Sequence, residues 1–159
     1  MAFSPTDIRR MWKKTLAAYK AVGLNASRRR KWTKNGVVYE SGVVCLRHET
    51  NPWTALHDLC HWLVAEDFIR GDANFGLGPT DIVVEKGREY AENQRYYDLR
   101  ETAEIEYKAL VCQHHLVKML FGDVALECLR RDFYTQPEDF REDYEFDIND
   151  IDFTPFQGL

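Results

Sequence analysis

Apolar positions fall into two textures along this chain. From Ser4 to Gly23, Ile8, Met11, Trp12, Leu16, Tyr19 and Val22 recur at helical spacing, with Arg9, Lys13, Lys14 and Lys20 on the other side. Ser4 caps such a helix, Pro5 suits its first turn, Asp7 favours its positive end and Gly23 stops it. Between Lys31 and Arg47 the period changes to that of strands: Val37-Val38-Tyr39 and Val43-Val44-Cys45-Leu46 alternate with turn signals at Asn35-Gly36 and Ser41-Gly42. This predicts a small antiparallel sheet.

Asn51-Pro52 then reads as a cap and first position of a second helix. Trp53, Leu56, Leu59, Cys60, Leu63 and Val64 make it apolar on most faces, so it should be buried. Gly71 to Gly87 reads as a long loop with strand character at Ile82-Val83-Val84. Arg88 to Phe121 reads as helix throughout, as one piece or two, with Tyr97, Ala103, Leu110, Val111, Leu116, Val117 and Leu120 facing inward. Gly122-Asp123 ends it, and Val124, Ala125, Cys128, Leu129 and Phe133 mark a short further helix before Pro137. The tail from 137 to 159 is acidic, with Phe140, Tyr144, Phe146, Ile148, Ile151, Phe153 and Phe156 as anchors onto the body. The fold class expected is α+β: a mainly helical single domain over 1–159 with a small antiparallel sheet.

Composition narrows the class. A chain of 159 residues, 45% hydrophobic and 30% charged, is long enough for one continuous core. No apolar run reaches the roughly 20 residues of a membrane span, and MAFSPTDIRRMWKK lacks a secretion signal's apolar stretch, so a cytoplasmic protein without membrane contact is expected. Cys45, Cys60, Cys112 and Cys128 show no C-x-x-C spacing and read as reduced core residues. The net charge of −5 gives no support to nucleic-acid binding, and the Arg28 to Lys31 cluster reads as a solvated run.

The chemistry concentrates at His57 and His61. Four residues apart on a helix, their rings project from one face where two nitrogens can share a metal. Two imidazoles on an otherwise Leu- and Val-lined helix need partners for four ring nitrogens, and a metal supplies one to each ring. The later helix offers Glu101, Glu104 and Glu106; Glu101 and Glu104 lie nearly on one face and Glu106 points away, so Glu104, flanked by Ala103 and Ile105, is the expected third ligand. Asp58 stands where zinc peptidases of the H-E-x-x-H type keep a glutamate, but is one methylene shorter, about 1.5 Å, which disfavours peptidase action. Two histidines and one carboxylate suit iron(II) with open positions, or zinc; the residues alone leave both open.

The central part of the chain, roughly 50 to 120, resembles the elongation factor P hydroxylases, bacterial enzymes that hydroxylate the modified lysine of that translation factor. The likeness runs through Leu56-His57-Asp58-Leu59-Cys60-His61-Trp62, the loop Asn74-Phe75-Gly76-Leu77-Gly78-Pro79, the segment Ala91-Glu92-Asn93-Gln94-Arg95-Tyr96-Tyr97, and Glu104-Ile105-Glu106-Tyr107-Lys108-Ala109-Leu110. Asp58 replaces the family's glutamate, Tyr107 its proline, and Phe75 and Leu77 are what remains of its aromatic loop. The resemblance implies zincin-like active-site helices and a non-haem iron-dependent monooxygenase, with Fe(II) on His57, His61 and Glu104, and Zn(II) as the alternative ion. It further implies that Asp58 and Glu101 orient ligands, that Phe75, Tyr96 and Tyr97 stand at the pocket wall, and that a lysine-like side chain of a translation-factor-like protein is the substrate. The competing expectations are a zinc-dependent hydrolase and a non-catalytic protein-binding domain with a structural metal.

Overall fold

The computed structural model describes residues 3–29, 37–40, 43–47, 51–66, 70, 82–85, 88–91, 99–140 and 144–159. It is mainly helical: α1 Pro5–Ala21, α2 Pro52–Val64, α3 Leu99–Phe121 and α4 Asp123–Asp132. Strands β1 Asn25–Arg29, β2 Val37–Glu40 and β3 Val43–Arg47 lie between α1 and α2, and β4 Ile82–Glu85 and β5 Arg88–Ala91 precede α3.

Ser4 starts α1 through a capping box: its hydroxyl accepts from the Asp7 amide at 3.1 Å, and its own amide donates to the Asp7 carboxylate at 3.0 Å. Met11, Trp12, Thr15, Ala18 and Tyr19 form the buried stripe, whereas Ile8, expected inside, is 41% exposed one turn before it. Asn51 caps α2 by accepting from the Thr54 amide at 2.9 Å, and Pro52 occupies the first turn. Gly122, at φ +87°, separates α3 from α4 with a backbone that side-chain-bearing residues rarely adopt.

Strand pairing departs from the antiparallel expectation. β2 and β3 run antiparallel, with Tyr39 opposite Val44, but β1 pairs parallel to β3 on its other edge, with Ala26 also opposite Val44. The arrangement is therefore mixed, because the chain leaving α1 enters it in the direction of β3. A second correction concerns Arg88–Ala91, expected as helix. These residues pair antiparallel with Ile82–Glu85, and Leu99 is the first residue of α3. Arg, Glu, Tyr and Ala are all acceptable in a helix, and strand pairing overrides that local preference.

The core is contiguous and centred on α2, which packs most extensively on α3 and also meets α1. Leu56, Leu59 and Cys60 of α2 and Leu110, Cys112, Leu116 and Val117 of α3 are all fully buried in this core. Two buried side chains lock α2 at its first turn: the Tyr19 hydroxyl donates to the Ala55 carbonyl at 2.5 Å, and the Gln113 amide donates to the Trp53 carbonyl at 2.9 Å. Cys60, Cys112 and Cys128 are free and buried. Burial pushes the Cys112 thiol up to about 12, so it stays protonated and unreactive. The tail lies on the body through Phe153 and Phe156. Among the described residues no helix is long and apolar enough to cross a membrane.

Candidate metal centre

α2 places His57 and His61 one turn apart on its buried face, with ring centroids 4.7 Å apart and planes perpendicular. Their Nε2 atoms approach to 3.1 Å. The carboxylate that meets them is Glu106 of α3: Oε1 lies 2.8 Å from His57 Nε2, and Oε2 lies 2.8 Å from His61 Nε2. These three are the described residues whose His, Cys, Asp or Glu donor atoms converge closely enough to hold an ion.

Glu104, the expected third ligand, is not in this group. Its side chain is 41% exposed and pairs with Lys108 at 3.4 Å along the helix. Glu106 has 17% of its side chain accessible. The signal for Glu106 is present in the sequence. Ala109, Leu110, Gln113, Val117 and Leu120 are buried, and this stripe extended backward by three or four residues reaches Glu106. Judging burial from the immediate neighbours Ala103 and Ile105 selected the wrong face, since adjacent residues on a helix diverge by about 100°. Glu101 is exposed and lies outside the cluster. Asp58 is buried beside it and feels the Glu106 charge. Phe75, Tyr96, Tyr97 and the glycine loop fall outside the described residues.

The electrostatics follow from burial and contact. Burial works against ionisation of Glu106, yet hydrogen bonds from His57 and His61 outweigh it and hold this carboxyl well below the usual carboxylate range. Burial pushes the His61 imidazolium toward its neutral form, partly opposed by Glu106. Asp58 moves the other way: burial, then repulsion from Glu106, raises its carboxyl well above the ordinary value.

The residues fit an ion on three counts. Neutral imidazole and an ionised carboxylate are the forms a metal requires. Each Nε2 faces both the other ring and the Glu106 carboxylate, so one cation placed between them can take a lone pair from each ring and a carboxylate oxygen. The separations also let a single small ion reach all three residues: the two Nε2 atoms lie 3.1 Å apart, and each lies 2.8 Å from one oxygen of the Glu106 carboxylate. Each histidine's Nδ1 is buried with no hydrogen-bond partner among the described residues.

The segment following α4 adds two residues that sequence reasoning did not assign to the site. The Phe133 ring lies 5.3 Å from that of His57, and the Tyr134 hydroxyl reaches Glu106 Oε1 at 3.3 Å. In the sequence Phe133 only marks the short helix before Pro137, and a lone tyrosine there carries no spacing that ties it to a metal.

Comparison with known proteins found no matching family model, curated protein or solved structure.

Proposed function

We propose that this protein is a non-haem iron-dependent monooxygenase of the hydroxylase type, with His57, His61 and Glu106 as the iron(II) ligands. The observation that carries the reading is the convergence of two imidazole nitrogens and one carboxylate within about 3 Å of one another, with the carboxylate side chain partly open to solvent. Iron(II) bound there supplies oxygen activation. The protein's own part is to hold the three donors on two packed helices, to keep His57 and His61 dry, and to present the Glu106 side to substrate.

The resemblance to the elongation factor P hydroxylases supports the same choice and suggests a lysine-like side chain of a protein as substrate, with Glu106 taking the ligand role that the motif assigned to Glu104. A two-electron reductant would come from outside, since the sequence carries no glycine-rich nucleotide fingerprint. Asp58 argues against the zinc hydrolase alternative. A general base for water must reach the water, whereas Asp58 is one methylene shorter than the glutamate of the H-E-x-x-H peptidases.

Elemental analysis of protein purified without added metal tests the centre, and oxygen consumption by the iron-loaded protein with lysine-bearing peptides and a reductant tests the reaction. The expected result is one iron per chain, lost in His57→Ala, and oxygen uptake coupled to a hydroxylated peptide. Bound zinc with amide hydrolysis would replace this reading with the hydrolase. Protein that holds no metal would leave a binding domain.

A further inference from the structure

Tyr134 is 76% exposed, the most exposed large hydrophobic residue described, so its ring contributes little to packing. Its hydroxyl nevertheless points inward to Glu106 Oε1, the same oxygen that faces His57 Nε2. The position is fixed by its neighbour: Phe133 ends α4, is buried, packs 5.3 Å from the His57 ring, and lies 4.5 Å from the Tyr134 ring. The histidine side chains are 4% and 0% accessible against 17% for Glu106, so solvent reaches the three donors from the carboxylate side. Among the described residues, Tyr134 is the side chain other than the two histidines that hydrogen-bonds to Glu106.

We propose that Tyr134 is a positioning residue at the mouth of the metal centre, its phenol donating a hydrogen bond to an oxygen- or nitrogen-containing anion or carbonyl bound on the ion's open side. In the absence of such a ligand the hydrogen bond goes to Glu106 Oε1. The residue acts on what binds to the ion and not on the ion itself, because the three donors are already held by α2 and α3. This inference rests on the metal-centre reading.

Cobalt(II) and azide separate the two. The full-length protein is loaded with cobalt(II), whose visible absorption reports its ligands, and titrated with azide as the open-side probe; His57→Ala serves as the control for the centre. In Tyr134→Phe the cobalt affinity should stay within about twofold of the parent, while azide binding weakens about tenfold, the effect of removing one hydrogen bond to a charged ligand. Unchanged azide affinity in Tyr134→Phe would overturn the proposal with the metal centre intact. A tenfold loss of cobalt affinity would also overturn it, by making Tyr134 a support for Glu106. Parent protein that gives no His57-dependent cobalt spectrum would overturn the centre and the proposal together.

Discussion

Glu104 and Glu106 differ by two positions on α3, about 200° around the helix, and this angle separates a solvated ion pair from a member of the buried cluster. Glu106→Gln should lower metal affinity by at least ~10–100-fold, the range seen even for groups that only support a ligand. Glu104→Gln should leave metal content unchanged and stability within ~0.5 kcal/mol, as for an exposed i,i+4 pair. Metal content after dialysis, with urea unfolding of both variants, checks the contrast. Asp58 supports a prediction in pH. Its folded carboxyl is raised above the unfolded value near 3.9, so its contribution to stability is full below that value and lost as pH rises through the folded one. Asparagine has no proton to lose. Metal-free Asp58→Asn should therefore gain on the parent between pH 5 and pH 8, measured as the difference in urea midpoints at the two pH values.

At the scale of elements, both histidines depend on α2 starting where it does. Asn51 satisfies one of the helix's free amides, and its replacement by Ala should cost ~1 kcal/mol, read from urea unfolding with an unchanged slope. The caps of α1 and α2 were legible because Ser4-Pro5 and Asn51-Pro52 act through atoms adjacent in sequence. The histidine pair was legible for the same reason, since four residues on a helix fix the relative placement of two side chains. The β5 strand and the parallel pairing of β1 were not, because each depends on a partner strand that local preference does not specify. The third ligand fell between these cases. Its helix was recognised, but the inward face shows only when the buried stripe of its C-terminal half, from Ala109 to Leu120, is followed back past Ala103 and Ile105.

For the whole molecule, the tail determines how the core is closed at its far end. Its acidic residues give no reason to fold back onto a chain of net charge −5, so apolar anchoring must overcome a modest repulsion. The anchors are Phe153, whose ring lies 4.4 Å from His115 on α3, and Phe156, 1% exposed within the main core. The short helical turn Thr154–Phe156, which Phe153 precedes and Phe156 ends, packs against α1, thus joining the two ends of the described chain. A ring buried this completely is part of the core and not a cover laid over it. Phe156→Ala should cost ~3–5 kcal/mol through lost burial and the cavity left behind, whereas exposed Gln157→Ala should change stability by no more than ~0.5 kcal/mol. Thermal unfolding of both variants decides the point: a tail that merely rests on the surface would give equal midpoints, and one that completes the core lowers only that of Phe156→Ala.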